Sequence, residues 1–210
     1  MKLSAGAWLP DDEQDSVMLE AGLNYQGSKL RAALPYCRYA RRAIDAGAHC
    51  GLWTVQLSQY FERVECFEPL ERHVECWRKN AGWKLTNKLH QVALGEEERA
   101  CGMKVVEGLS GRSHVEGAGD IKLNRLDDYY FEDVDLIKID VEGYELFVIK
   151  GAEETIRKWK PVMIVEQKPH LGGNYGLSTT AAVDYLKSMG AVVKKEIVGD
   201  FIMTFEKEPA

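Results

Sequence analysis

From about residue 28 onward the chain alternates short apolar runs with stretches of helical periodicity, and this alternation limits the fold more than any other feature. The runs are 42 to 46, 63 to 67, 89 to 94, 134 to 140 and 161 to 166, each of strand length and apolar enough to be buried on both faces. Between them, Trp53, Leu57, Tyr60 and Phe61 fall at i, i+4, i+7 and i+8 after Gly51. Leu70, Val74 and Trp77 repeat the pattern before Asn80 and Gly82 stop it. Such alternation builds a parallel sheet covered on both sides, with ligands held at the carboxyl ends of its strands. The last third departs from the rule. A helix from Ser178 to Met189, stopped by Gly190, leads into two β-rich runs, 191 to 197 and 200 to 206, and Gly199-Asp200 between them reads as the turn of a tight hairpin. The expected fold is α/β: a doubly wound, Rossmann-like sheet of seven strands ending in an antiparallel hairpin, one domain over residues 1–210.

Two segments stand apart from this pattern. Residues 1–40 are weakly periodic and read as an N-terminal extension that shapes the acceptor side of the site, with Asp11-Asp12-Glu13 as a solvated turn. Residues 107–119 are rich in Gly and Ser and too polar for core, so they read as a loop or a short loop-bounded hairpin beside the sheet, a common place for function.

Charge and composition narrow the partners. With 27 Lys+Arg against 33 Asp+Glu the formal charge is −6, which repels a phosphate backbone on average and argues against a nucleic-acid partner. No apolar run approaches the ~18 residues of a membrane span, and Met1-Lys2-Leu3-Ser4-Ala5-Gly6 lacks the apolar stretch of a signal peptide, so a cytoplasmic chain without a membrane partner is expected. Five cysteines, at 37, 50, 66, 76 and 101, include no Cys-x-x-Cys pair and read as reduced, buried thiols.

The chemistry gathers at strand tips. Asp45 precedes Ala46-Gly47-Ala48-His49-Cys50-Gly51 and then a helix, a turn whose glycines let a ligand approach the backbone and whose helix start offers unpaired N–H groups. The spacing is not the Gly-x-Gly-x-x-Gly of dinucleotide folds, and an acid there would repel a pyrophosphate. It suits S-adenosylmethionine, which has no phosphate and carries a sulfonium and an ammonium. Glu68 ends the next strand, 23 residues beyond Asp45, where a carboxylate can accept from both ribose hydroxyls. On the fourth strand, Lys138 and Asp140 stand two apart and hence on one face. Buried charges are costly unless paired or used. For Lys138 a structural ion pair and a functional role stay equally open; for Asp140 the strand-end position favours function.

Taken together, these motifs resemble the FkbM family of S-adenosylmethionine-dependent methyltransferases. The resemblance rests on Asp45 to Gly51, Phe67-Glu68-Pro69 with Asn80, Val92 to Gly95, Leu126-Asp127-Asp128, and above all the long block Asp135 to Glu145 with Lys150-Gly151-Ala152, in order over about residues 42 to 168. It implies a class I methyltransferase fold with S-adenosylmethionine as cofactor, bound by Asp45, Gly47, Ala48, His49, Gly51, Glu68, Ala93, Leu94 and Asp140. The methionine end would lie near Asp45, Gly47 and His49, and the ribose on Glu68. The family usually carries Asn where His49 stands.

Methyl transfer is an in-line displacement, so the protein aligns the acceptor and eases its deprotonation. The catalytic candidates are Asp140, Glu166, His170 and Lys138. Asp140 with Glu166-Gln167 at the neighbouring strand tip is similar to the magnesium site of catechol-type O-methyltransferases, which makes Mg²⁺ a possible second cofactor with Asp140, Glu166 and Gln167 as candidate ligands; Glu166 would otherwise orient a sugar hydroxyl. The expected reaction is O-methylation of a hydroxyl on a sugar, glycan or small metabolite. Two alternatives stand beside it: a nicotinamide-dependent oxidoreductase, disfavoured by Asp45 and the missing third glycine, and a methyltransferase-like binding protein without catalysis. The sequence leaves the acceptor's identity and the oligomeric state open.

Overall fold

The computed structural model describes residues 1–168 and 172–206. Seven strands form its main sheet: β1 (Arg42–Ala46), β2 (Arg63–Phe67), β3 (Asn87–His90), β4 (Val134–Ile139), β5 (Val162–Glu166), β6 (Ala191–Ile197) and β7 (Asp200–Phe205). Their order is β6-β7-β5-β4-β1-β2-β3. The strands from β5 to β3 run parallel, and β7 is antiparallel to both β5 and β6. This is the Rossmann-like sheet of class I methyltransferases with its reversed last strand.

Helices α1 (Ser16–Ala21), α2 (Gly27–Ala33), α3 (Leu52–Leu57) and α4 (Glu71–Asn80) precede β4 in the chain, and α5 (Glu145–Lys150), α6 (Glu153–Trp159) and α7 (Ala181–Ser188) follow it. Side chains alternate across a strand, so each strand feeds two cores. Ile44, Ala46, Ile137, Ile139, Met163 and Val165 pack with Val148, Ile156 and Leu186 of α5 to α7. Ala43, Val64, Cys66, Leu136 and Ile164 pack with Leu30, Trp53, Leu57 and Trp77 of α2 to α4. Asp45 and Lys138 lie opposite each other in the β1–β4 register, with strand neighbours that face the second of these cores. Among the described residues no disulfide forms, and Cys50, Cys66, Cys76 and Cys101 are buried.

Three local expectations need correction. The run 89 to 94 is two strands: β3 stops at His90, Val92 N donates to His90 O at 2.9 Å, and Ala93–Leu94 enters a separate three-stranded sheet beside Ile121–Asn124. A tight turn at the sheet edge redirects the chain. The C-terminal hairpin turns at Val198-Gly199, not at Gly199-Asp200, since Ile197 pairs with Asp200. Both turn residues have positive φ, 50° and 78°, as a two-residue hairpin with the right twist requires. Finally, Glu13 is only 1% exposed, so Asp11-Asp12-Glu13 is not simply a solvated turn.

The N-terminal segment forms a small hairpin, Lys2–Ser4 with Ala7–Leu9, which packs on α4 through Ala7, Leu9 and Cys76 and is hydrogen-bonded to it by Asn80. Asn80 accepts from Trp8 N at 2.8 Å and donates to Trp8 O at 2.8 Å and Cys50 O at 2.7 Å. Residues 107–119 hold a 3₁₀ turn, Ser110–Arg112, between Met103–Lys104 and the strand His114–Val115 that pairs with it, the short hairpin expected from the sequence. Asn80→Ala would leave three buried or half-buried backbone groups without their partner. A loss of about 2–3 kcal/mol is expected in denaturant unfolding, from about 1 kcal/mol per lost bond; a change below 0.5 kcal/mol would mean that the N-terminal hairpin is held by something else.

Candidate active site

Strand β1 hands over to α3 through a turn that is pinned at both ends. Gly47 N and Ala48 N both donate to Phe67 O, at 3.0 and 2.9 Å, tying the turn to the end of β2. Gly47 has φ of 77°, and a Cβ there would lie 1.9 Å from the carbonyl oxygen of Asp140, so only glycine lets the turn pass the tip of β4. His49 also has positive φ, 49°. His, with Asn and Asp, enters that left-handed region more readily than other side-chain-bearing residues. Gly51 serves the scaffold: its φ is 83°, and a Cβ would meet the Trp77 ring at 2.8 Å.

Asp45 does not reach the cavity in front of this turn. It is fully buried, with Oδ2 accepting from Thr54 Oγ1 at 2.8 Å and Oδ1 lying 3.2 Å from Lys138 Nζ. The expected contact with the methionine end therefore gives way to a buried ion pair. Lys138 Nζ also donates to Gly47 O at 2.8 Å and lies 3.8 Å from Asp140 Oδ2. Burial works against its charge, but Asp45 and then Asp140 outweigh it and raise its pKa above the ordinary value. Lys138 stays an ammonium and links the turn to the tip of β4.

Glu68 stands where expected, in the cavity wall and buried. Its Oε2 accepts from His49 N at 3.0 Å, and its Oε1 accepts from Leu70 N at 2.9 Å and meets His73 Nδ1 at 3.1 Å. A carboxylate has about four lone-pair sites, so room is left for a ligand hydroxyl. On the other side, Glu13 accepts from the amides of Gln14 and Asp15 and from the hydroxyl of Ser110. Ser110 spends its proton on Glu13, so His49 Nε2, 2.7 Å away, must carry the proton and donate to Ser110 Oγ. Burial, with His73 and Lys138 nearby, holds the His49 pKa well below the usual histidine value, consistent with this neutral form.

Past the end of β4, Asp140, Glu142 and Glu166 bring carboxylate oxygens within 4.8 Å of one another. Three acids this close cannot all ionise freely. Burial pushes Asp140 up, yet the Lys138 ammonium and then the neighbouring Glu166 carboxyl leave it below the ordinary value. Burial and then Asp140 push Glu142 up to about 8 and Glu166 up to about 9. The ammonium of Lys168 contacts Glu166 Oε1. Glu145, pushed up to about 7 by burial, braces the turn by accepting from Val141 N at 3.1 Å and Gly143 N at 2.9 Å. Gln167 does not join the acids, because its Oε1 caps α7 by accepting from Ala182 N at 2.9 Å and Val183 N at 3.3 Å. His170 lies outside the described residues.

One cavity of about 970 Å³, counting its open mouth, unites these groups. Its wall includes the expected Gly47, Ala48, His49, Glu68, Ala93, Leu94, Lys138, Asp140 and Glu166, but neither Asp45 nor Gly51. Sequence reasoning missed Glu13, Glu142 and Lys168. Glu142 had a signal, standing two residues beyond Asp140 in the longest motif; Glu13 and Lys168 had none.

The profile of a family described as "Methyltransferase FkbM domain" matches residues 45–193. No functionally curated protein matches the sequence. Among solved structures, methyltransferase FkbM from Methylobacillus flagellatus KT is similar at TM-score 0.53 and 19% identity, over 80% of this chain and 44% of that one. The chain thus spans less than half of that protein. N-methyltransferase NodS from Bradyrhizobium japonicum WM9, solved with S-adenosyl-L-homocysteine, is similar at TM-score 0.55 and 9% identity over 92% of this chain and 91% of that one. Precorrin-6y C5,15-methyltransferase from Geobacter metallireducens GS-15 follows at TM-score 0.53 and 12% identity over 95% and 98%. At these identities the likeness is one of fold. Among the described residues no helix is long and apolar enough to cross a membrane.

The raised carboxyls make stability fall with pH. An unfolded glutamate loses its proton near 4.5, whereas folded Glu166 keeps it to about 9. Between these values the folded state binds the extra proton, so stability declines as pH rises. Glu166→Gln removes that proton from both states. Relative to the parent, the variant should gain stability from about pH 5 to about pH 9, by at most about 1.4 kcal/mol per pH unit for one proton, and level off above. Urea titrations across this range check it; a constant difference would contradict it.

Proposed function

The chain belongs to the FkbM methyltransferase family, and from that premise we propose that it moves the methyl group of S-adenosylmethionine onto a hydroxyl of a sugar, glycan or other small metabolite. Family membership sets aside the oxidoreductase alternative. The observation that carries the reading is the meeting, in one cavity, of the backbone turn Gly47 to His49 with the acids Asp140, Glu142 and Glu166. In this proposal the turn cradles the methionine end of the cofactor, Glu68 accepts from its ribose, and Ala93 and Leu94 close the wall beside it. Lys138 positions the turn and Asp140 rather than acting on substrate.

The acceptor oxygen attacks the methyl carbon opposite sulfur. The carbon–sulfur bond breaks, its electron pair stays on sulfur, and S-adenosylhomocysteine is left. The hydroxyl proton passes to the acid cluster. Asp140, held ionised by Lys138, accepts a hydrogen bond from that hydroxyl and orients it. Glu142 and Glu166, pushed up to about 8 and about 9, hold their own protons near neutral pH, so Asp140 is the carboxylate that takes the proton. Mg²⁺, which the sequence leaves open as a second cofactor, would, when bound at Asp140 and Glu166, lower the pKa of the acceptor hydroxyl. Those donors fit it: both offer oxygen, and Glu166 Oε2 is buried without a partner. The N-terminal extension supplies Met18, Tyr25 and Gln26 to the cavity wall and the 107–119 loop supplies Ser110 and His114, which suits both to acceptor selection.

The test is turnover with a labelled methyl donor and a host extract, followed by identification of the product that gains a methyl group. Once an acceptor is in hand, Asp140→Asn should lower turnover by about 10²-fold or more, the scale of one general-base contribution, while S-adenosylhomocysteine affinity changes little. Near-normal turnover by this variant would return Asp140 to a purely structural partner of Lys138. No methylated product with a folded, cofactor-binding protein would favour the binding-protein alternative.

A further inference from the structure

The acid cluster is short of donors. Glu166 is 1% exposed, and its Oε2 has no hydrogen-bond partner among the described residues. A buried carboxyl oxygen left unpartnered is costly. Of the two ammonium groups nearby, Lys138 is committed to Asp45 and to Gly47 O, behind the cluster. Lys168 is different: its side chain is 35% exposed, and its ammonium touches Glu166 Oε1 at the end of a flexible stem.

We propose that Asp140, Glu142 and Glu166 form a divalent-cation site, and that the Lys168 ammonium is the occupant the cation displaces. The inference rests on the reading of this cavity as a methyl-transfer site and deepens it. The ligand set differs from the one expected from sequence, with Glu142 in place of Gln167, whose oxygen is taken by α7. Three carboxylates with no nitrogen or sulfur donor suit the hard cations Mg²⁺, Mn²⁺ and Ca²⁺. Size separates them. Oxygens on opposite sides of Mg²⁺ are about 4.2 Å apart, and on Ca²⁺ up to about 5.2 Å, from bond lengths of 2.0–2.1 and 2.3–2.6 Å. Oxygens that all lie within 4.8 Å of one another fall inside the span of a Ca²⁺ shell, while Mg²⁺ holds any pair to about 4.2 Å or less. Glu142 has the rigidity a ligand needs, since Glu145 pins the backbone on both sides of it at Val141 and Gly143. Displacement makes or breaks no covalent bond; Lys168 swings into solvent.

The test is titration of Mn²⁺ into the full chain, followed by the electron paramagnetic resonance signal of free Mn²⁺, with and without saturating S-adenosylhomocysteine. The expected result is one Mn²⁺ per chain. Glu166→Gln and Glu142→Gln should each weaken it at least tenfold. Lys168→Gln should tighten it severalfold, because the competing ammonium is gone, a change of opposite sign that general loss of structure cannot produce. Circular dichroism confirms folding, and if Glu166→Gln fails it, the other two variants decide. Absence of bound Mn²⁺ at millimolar concentration in a chain that binds S-adenosylhomocysteine, or binding indifferent to all three variants, overturns the cation site and leaves the methyltransferase reading intact. Mn²⁺ binding with these effects in a folded chain that ignores S-adenosylhomocysteine keeps the cation site and sinks that reading.

Discussion

An ammonium group can sit inside a sheet only if its charge is met on the spot, and Lys138 meets it at Asp45, directly across the β1–β4 register, and at the carbonyl of Gly47. Removing one partner of such a pair typically costs 3–5 kcal/mol, because the other charge is left buried and alone. Much of the site follows from this pairing. The carbonyl of Gly47 is drawn toward β4, which brings the turn so close to Asp140 O that no side chain fits at position 47. The same ammonium keeps Asp140 ionised among acids that would otherwise hold their protons. One buried cation thus shapes the turn proposed for the cofactor and sets the charge of the group proposed for the acceptor.

The walls that close this site come from outside the seven-stranded sheet. Glu13 in the N-terminal segment, Ser110 in the 107–119 hairpin and His49 in the turn form one hydrogen-bonded chain, and Asp12 adds an ion pair to Arg72 of α4. The sheet supplies the tips where charges gather, while these added segments decide what the mouth admits. Two segments of different sequence length meeting over one turn is the arrangement expected where a common fold is specialised through its loops.

The sheet was legible because its signal is local. Strand and helix periods are read within a few residues, and β1 and β2 match their expected bounds, with β4 and β5 within a residue at either end. The motif blocks were legible too, although several turn out to serve packing. Asn80 clasps Trp8, Asp127 caps α6 through Glu154 N and Thr155, and Gly151 passes against the Gly95 carbonyl. What stayed hidden depends on pairing across the fold. Lys138 read as a neighbour of Asp140 two residues on, and only strand register shows that Asp45 is nearer, at 3.2 against 3.8 Å. Glu13 read as solvated because its partner is 97 residues away. Gln167 read as a ligand because nothing in the sequence shows which way a side chain turns at a strand end.

The account stands on one claim: that the cavity over Gly47 to His49 receives an S-adenosyl compound. Calorimetric titration of S-adenosylhomocysteine into the folded chain tests it without needing an acceptor. One molecule should bind per chain, with a negative heat-capacity change as the adenosine is buried, and NAD should give no heat of binding under the same conditions. No binding of S-adenosylhomocysteine or S-adenosylmethionine to a protein that melts cooperatively would contradict the account, and saturable binding of NAD in their place would contradict it more strongly.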